Sequence, residues 1–416
     1  MTATAGAVRW LEPLRQAIVE LGPLDLARAE DFEGTLIQLL ATHPVGRGIA
    51  AEARSMRLRA IRQALAAEGL LGLAVPARHG GCGHPPILQV LLQFTCGYHD
   101  VDLRDSTGLG HGRLIADHGT PQARDHWLPL LLAGAVPGIA ITEQHGGSQV
   151  HATRTSAQPG PSGTWQVTGV KTWISRLTEA AAFCVFFTRP EAGLTAAVID
   201  AAASGLTRRP LAPSGLSGWA WGELHLRDVT VRPRDVLGQP GDGIRLVREH
   251  FARYRPLVTA TALGAAAAAH DDVAGLLAYR HRSGAIARIR DNAYITLGRT
   301  YAQINAALLA AMTATQLAEA RHPAAFPWAC AMKTHGIDVA HQAVAELALL
   351  AGASAFVEDC RLAKARDDLN ALQYADGIHD SLYRSAGRDL TVLAPAADRG
   401  IPRQSAPARN EPPVHA

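Results

Sequence analysis

Three long stretches in the second half of the chain repeat apolar residues at the spacing of an α-helix. They cover residues 244–279, 287–320 and 327–350, and a shorter helical stretch follows Gly377. Helices of this length that are rich in alanine pack closely, because small side chains let the backbones approach. We therefore predict a C-terminal four-helix bundle over residues 241–393.

The N-terminal third of the chain has the same helical spacing. We expect residues 1–137 to form a helical domain, in which Thr120 before Pro121 predicts the N-terminus of one helix. Apolar residues at helical spacing in this part include Leu58, Ile61 and Leu65.

The middle of the chain, residues 138–240, is richer in β-branched and aromatic residues and predicts a small antiparallel β domain. The clearest strand signals are residues 165–170, 182–187 and 223–229. The predicted fold class is therefore mainly α with a central β domain between two helical domains. Residues 394–416 are rich in Pro, Ala and Arg, and we expect a disordered tail there.

Composition excludes several classes of function for the 416 residues. The net charge is only +3 and the arginines alternate with acidic residues, so no basic stripe for nucleic acid is present. The five cysteines form no CxxC pair, and we expect neither a metal site nor a disulfide framework.

No segment of the sequence predicts a membrane anchor. The first residues, 1–5, lack a basic region followed by an apolar core, and the alanine-rich run 260–269 is too short to cross a bilayer. We expect a cytoplasmic protein that does not bind membranes.

One acidic residue near the C-terminus is a candidate general base. Asp376 precedes Gly377 in a predicted turn between two apolar helical stretches. A carboxylate in such a position can take a proton from a substrate, although an isolated Asp in this position is more often a helix N-cap.

Two earlier segments each combine a strand with polar residues. Residues 139–149 run from an apolar strand into a turn with two glycines, where backbone N–H groups can approach a flat polar ring. In residues 171–175, an indole can cover one face of an isoalloxazine while a nearby hydroxyl bonds its edge. Taken alone, the first segment is equally an ordinary loop, and a Trp in a strand is more often packed in the core.

The three segments together, in this order and spacing, resemble the acyl-CoA dehydrogenase family of flavoproteins. The matching family motifs are T-E-P-x-x-G-S, K-x-W-I-T/S and Glu-Gly, and one branch of the family has Asp-Gly in the last position. The resemblance covers roughly residues 70–393. It implies an acyl-CoA dehydrogenase-like fold, with helices, then β strands, then a helical bundle, and an FAD cofactor.

The resemblance assigns five residues to the flavin. Thr142 and the backbone at Ile139 and Ile141 are expected to contact the ring, Trp173 to form its wall and Ser175 to be the partner of flavin N5.

Two positions in the bundle resemble the family's pyrophosphate-binding motifs. Arg280 and Gly284 match R-x-x-F-G, whose Arg reaches the FAD of a neighbouring subunit, although an Arg also suits a helix C-terminus electrostatically. Gly352 remains from Q-x-x-G-G-x-G, in which Leu349 replaces the Gln.

At the substrate end, the resemblance assigns catalysis to Asp376 and substrate contacts to Ser148, Gly377 and Arg255. Some family members carry a catalytic Glu where this chain has Tyr254. A phenol with a pKa near roughly 10 is a poor base at neutral pH, so Asp376 is the expected base.

The expected function is FAD-dependent α,β-dehydrogenation of an acyl thioester, either acyl-CoA or an acyl-carrier-protein thioester, in a specialised pathway. The expected electron acceptor is electron-transfer flavoprotein or oxygen, and the expected assembly is a homodimer or homotetramer. Two alternatives keep the fold: a flavin oxidase or monooxygenase acting on a small molecule, and a non-catalytic FAD-binding relative.

Overall fold

The computed structural model describes residues 6–16, 18, 22–147, 149–357 and 359–393. The N-terminal helices α1–α6 are Val8–Arg15, Pro23–Thr42, Ala51–Ala67, Pro86–His99, Arg113–His118 and Pro121–Leu132. The strands β1–β8 are Val136–Ala140, Ser156–Pro159, Trp165–Ser175, Ala180–Arg189, Gly193–Asp200, Leu206–Leu211, Trp221–Val231 and Val236–Leu237. The C-terminal helices α7–α11 are Gly243–Arg282, Asp291–Glu319, Ala325–Ala351, Arg361–Leu372 and His379–Leu393.

This order of helices, strands and helices confirms the predicted fold class. The predicted start of α6 is also observed, because Thr120 Oγ1 accepts a hydrogen bond from Ala123 N at 3.1 Å. The predicted disordered tail, residues 394–416, lies outside the described residues.

The β domain is a single eight-stranded sheet. Its order is β6-β7-β3-β2-β4-β5-β8, with β1 paired to β4. Most pairs are antiparallel, as expected, but β1 runs parallel to β4. This pairing leads the chain that follows β1 towards β3, where Thr172 N donates to Thr142 O at 2.8 Å.

In the C-terminal domain, α7, α8 and α9 pack against one another, and α10 and α11 pack on α9. The helix α10 was not among the predicted ones. Charged residues interrupt its apolar spacing, and two of them, Lys364 and Asp368, are buried.

Two glycines bring α4 of the N-terminal domain very close to α7. A Cβ on Gly97 would lie 1.9 Å from Thr261 O, and a Cβ on Gly264 would lie 2.0 Å from Phe94 O. No side chain would fit at either crossing, so the backbones of α4 and α7 approach closely and their apolar residues belong to one core. The residues before α5 also lie against α7.

One segment, Ala325–Phe356, is long and apolar enough to cross a membrane by length and composition alone. It comprises α9 and the short 3₁₀ turn that follows. A core helix has the same properties, and α9 packs against four other helices of the bundle.

Candidate active site

The turn between α10 and α11 holds the candidate base in an uncommon backbone conformation. Asp376 has φ +56° and Gly377 has φ +113°. Arg255 Nε on α7 donates to Asp376 O at 3.0 Å, while Lys333 Nζ on α9 donates to Leu372 O and Gly377 O, both at 2.9 Å. Two buried cations therefore anchor the turn on both sides of Asp376.

The surroundings of the Asp376 carboxyl favour its protonated form more than water does. Burial raises the pKa of Asp376, and the charges of four cations oppose this rise. In order of their effect, these cations are Lys333, Arg176, Arg104 and Arg255. Burial also lowers the pKa of Lys333 to about 7, although the charge of Asp376 acts in the opposite direction.

A cluster of three rings lies beside this turn, two of them on α7 and one, His111, just before α5. Tyr254 lies 4.3 Å from the His111 ring and 5.4 Å from the His250 ring, and His111 Nδ1 lies 3.0 Å from His250 Nε2. Burial raises the pKa of Tyr254 well above its ordinary value and lowers the pKa of His250 to about 3. Both groups are therefore neutral near pH 7, and Tyr254 is a poor base.

A cavity of about 70 Å³ lies between α4, the residues before α5, and α7. Tyr254 and Arg104 line this cavity, and both are close enough to the Asp376 carboxyl to interact with it electrostatically. Asp376 itself does not line the cavity, and its link to the cavity is the electrostatic interaction with these two wall residues. Neither this cavity nor a larger open cleft on the far side of Arg113 and Arg253 is lined by a predicted site residue.

The expected flavin loop is fixed to β3 by a buried ion pair that the motif alone does not reveal. Lys171 Nζ lies 2.8 Å from Glu143 Oε1 and donates to Ile141 O at 3.0 Å. Glu143 also accepts hydrogen bonds from the backbone of Arg154 and from Thr155. These hydrogen bonds outweigh burial and lower the pKa of Glu143 to about 2.

Trp173 presents its indole at the surface of β3. The pairing of β3 with β7 shifts register between Lys171 and Ile174, and Trp173 within this irregularity has φ +59°. Its side chain is 61% exposed, which is unusual for a large apolar residue in a strand. Thr142, whose carbonyl accepts a hydrogen bond from Thr172 N, and Ser175, two residues after Trp173, are partly exposed, so these residues fit a flat aromatic cofactor.

The structure does not bring every predicted residue to one place. Arg280 lies 25 positions after Arg255 on the same helix, roughly 37 Å along its axis at 1.5 Å per residue. It donates to Ala351 O at 3.2 Å and to Ser354 Oγ at 3.3 Å, next to Gly352 with φ +70°. Ser148 lies outside the described residues.

Several residues of this site were missed from the sequence. Lys333 lies 44 positions from Gly377, and His111 lies 139 positions from His250, so no local motif links these pairs. The only available signal was the scarcity of lysine, which made each of the three lysines conspicuous.

Models of all three domains of the acyl-CoA dehydrogenase family match the chain. The N-terminal domain matches residues 28–135, the middle domain residues 138–229 and the C-terminal domain residues 241–390.

Individual relatives are more distant. The very long-chain specific acyl-CoA dehydrogenase of Mus musculus is 30% identical over 199 residues, covering 44% of this chain and 30% of that protein. The probable short/branched chain specific acyl-CoA dehydrogenase of Dictyostelium discoideum is 25% identical over 281 residues, covering 66% of this chain and 68% of that protein. The chain thus spans less than a third of the length of the first relative.

A solved structure has the same fold. The glutaryl-CoA dehydrogenase of Mycobacterium smegmatis in complex with FADH2 is similar with a TM-score of 0.78 and 19% identity, covering 95% of this chain and all of that one. Since models of all three domains match in order from residue 28 to residue 390, the chain belongs to the acyl-CoA dehydrogenase family.

Proposed function

We propose that this chain is an FAD-dependent dehydrogenase that forms an α,β double bond in an acyl thioester. The observation that carries the proposal is the placement of Asp376. A turn anchored by Arg255 and Lys333 holds its carboxyl within electrostatic range of Tyr254 and Arg104, which line the cavity between α4 and α7.

Asp376 is proposed to remove the α-proton of the thioester. A base is most effective when its pKa is near the working pH, and burial moves the pKa of Asp376 in that direction. The charges of the nearby cations oppose this rise and favour the carboxylate. The N–H of Gly377 is proposed to donate to the thioester carbonyl, where negative charge develops as the proton leaves.

FAD supplies the acceptor for the hydrogen that leaves the β-carbon. In our proposal, Trp173 packs against one face of the ring, and Ser175, Thr142 and the backbone at Ile139 and Ile141 bond its edge. The buried Glu143–Lys171 pair supports this set, because it holds the loop of Thr142 beside β3. Electron-transfer flavoprotein is the proposed acceptor of the electrons, with oxygen as the alternative.

The thioester carrier is proposed to be CoA or an acyl carrier protein, with Ser148 and Arg255 at the substrate end. The assembly is proposed to be a homodimer or homotetramer, in which Arg280 and Gly352 bind the FAD of a neighbouring copy. Two apolar side chains near Arg280, Leu349 and Phe356, are 82% and 89% exposed. Their exposure supports a neighbouring copy that packs against this surface.

An anaerobic screen of CoA and carrier-protein thioesters tests the proposal. We expect at least one thioester to bleach the flavin absorbance of the purified protein, while the corresponding free acids leave it unchanged. If FAD remains bound and no thioester bleaches it, the chain is not an acyl thioester dehydrogenase.

A further inference from the structure

The cavity beside Tyr254 has polar walls that lack partners. Thr107 Oγ1, His250 Nδ1 and Gln89 Nε2 are buried and have no hydrogen-bond partner among the described residues. All three side chains line the cavity. Thr107 is only 1% exposed and His250 only 4%, so water at the surface does not satisfy them.

Two other polar side chains of this cavity are satisfied within the protein. Gln93 Nε2 donates to Arg104 O at 2.8 Å, and Thr315 Oγ1 donates to Ala311 O at 3.3 Å. Arg104 Nη1, in contrast, is also buried without a hydrogen-bond partner among the described residues, and a neutral ligand oxygen can accept a hydrogen bond from it. Because a buried polar group without a partner is unfavourable, a ligand that supplies partners is favoured over one that does not.

The ring pair of His111 and His250 leaves one nitrogen for a ligand. His250 uses Nε2 for its contact with His111 Nδ1 at 3.0 Å, so its Nδ1 is left over. Whichever ring carries the proton between them, His250 Nδ1 is either a donor or an acceptor. A hydroxyl oxygen can satisfy both states, whereas a methylene group satisfies neither.

The charges in the cavity favour a neutral ligand over a carboxylate. Arg104 lies 3.5 Å from Asp102 and 3.7 Å from Asp105. At the far end, Arg113 and Arg253 lie 3.5 and 3.1 Å from Glu319. Each arginine that lines the cavity thus already faces a carboxylate, and Glu319 itself repels a second anion.

We propose that the acyl group of the substrate carries a neutral oxygen, a hydroxyl or a carbonyl, which Thr107, His250 and Gln89 hold by hydrogen bonds. The carbon atoms of such a group pack against the apolar part of the wall, which includes Val75 and Leu257. This inference rests on the proposed function, because it specifies the acyl half of the proposed thioester.

The test compares thioesters of nearly equal size. The FAD-loaded protein is titrated anaerobically with 4-hydroxybutyryl-CoA, pentanoyl-CoA and succinyl-CoA, and apparent dissociation constants are measured beside the rates of flavin reduction. These acyl groups end in a hydroxyl, a methyl and a carboxylate. We expect the hydroxyl compound to bind at least about tenfold more tightly than the other two, because the methyl group cannot pair with the wall groups and the carboxylate brings a charge that Glu319 repels.

Two matched variants locate the effect. Thr107→Val removes the unpaired hydroxyl at constant shape and should reduce the preference for the hydroxyl compound to within about threefold, about the size of one lost hydrogen bond. Thr315→Val removes a hydroxyl of the same cavity that already bonds its own helix, and it should leave the preference unchanged.

The outcomes separate this inference from the proposed function. Pentanoyl-CoA or succinyl-CoA binding as tightly as the hydroxyl compound overturns the inference, and if either still bleaches the flavin the proposed dehydrogenation stands. An equal loss of preference in both Thr variants also overturns it, since the effect would then not come from the unpaired hydroxyl. Absence of flavin reduction by every thioester rejects the proposed function itself.

Discussion

Each of the three lysines in this chain is buried and fastens a segment near the site. Lys171 holds the loop after β1, and Lys333 holds the turn of Asp376. Lys364 Nζ lies within 2.9 Å of carboxylate oxygens of Asp100, Asp102 and Asp368. Burying a lysine ammonium is costly unless carbonyl or carboxylate oxygens surround it, so these three positions tolerate few substitutions.

Replacing Lys333 with Met should change how the base responds to pH. The charge of Lys333 lowers the pKa of Asp376, so its removal raises this pKa further. Asp376 is then protonated over a wider range, and the acidic limb of the rate of flavin reduction moves to higher pH. Loss of the hydrogen bonds from Lys333 to Leu372 O and Gly377 O should also loosen the turn. We expect the resulting misplacement of Asp376 to slow flavin reduction by about 10–100-fold.

The pH profile of single-turnover flavin reduction measures this effect, with Lys333→Arg as the conservative variant. We expect Lys333→Arg to keep the acidic limb close to that of the unchanged protein. A slower Lys333→Met variant whose limb does not move would mean that Lys333 has only a structural role.

At the scale of elements, one buried ion pair and one backbone hydrogen bond join the loop after β1 to strand β3. The strands β1 and β3 are not neighbours in the sheet, so the pair of Glu143 and Lys171 adds a contact that sheet pairing does not supply. Removing one member of a buried pair leaves the other charge uncompensated, which commonly destabilises a protein by about 3–5 kcal/mol.

Glu143→Gln should therefore lower the free energy of unfolding by about 3 kcal/mol or more. The folded pKa of about 2 lies below the ordinary value of 4.5, so the pair's contribution is present above pH 4.5 and is lost as the pH falls towards 2. Urea denaturation at pH 7 and at pH 4 measures both effects. The exposed Glu191→Gln is the control, and a loss no larger than that of the control contradicts this account.

The sequence predicted the elements with regular periodicity and missed those whose pattern depends on distant partners. The long helices α7, α8 and α9 were identified because their apolar faces repeat over many turns. The helix α10 was missed because it buries Lys364 and Asp368, which pair with residues of the N-terminal domain or with each other. The parallel pairing of β1 with β4 joins segments about 45 residues apart and has no local signature.

The candidate site was likewise predictable only where its residues form local motifs. Motifs within a few residues of one another pointed to Asp376, Trp173 and Thr142. The groups that set the environment of Asp376, such as Lys333 and Arg176, lie on other elements and are brought near it only by the fold. Sequence patterns report local spacing, whereas a pKa shift depends on every charge around the group.

At the scale of the whole molecule, the length of α7 separates two parts of the predicted cofactor site. Arg255 and Arg280 are roughly 37 Å apart along this helix. In our proposal, Arg280 therefore binds the FAD of a neighbouring copy and not the FAD beside its own Asp376. A symmetric assembly would give each copy the same two half-sites.

This arrangement predicts complementation between two inactive variants, Asp376→Asn and Arg280→Glu. In a mixed dimer, one site combines an intact Asp376 with an intact Arg280 from the other copy. Random pairing should restore about a quarter of the full number of active sites, because half of the dimers are mixed and each has one intact site. Co-expression followed by an anaerobic assay of flavin reduction measures this fraction. Activity no greater than that of the separate variants would show that the two residues do not serve one shared site.

The most direct test of the role of Asp376 is the exchange of the α-hydrogen of a bound thioester with deuterium from the solvent, followed by NMR. We predict that Asp376→Asn retains FAD but slows this exchange by about 100–10,000-fold. The exposed Asp380→Asn, four residues later, should leave the exchange rate unchanged. Exchange at the unaltered rate in Asp376→Asn would contradict the account and favour an oxidase or monooxygenase that needs no carboxylate.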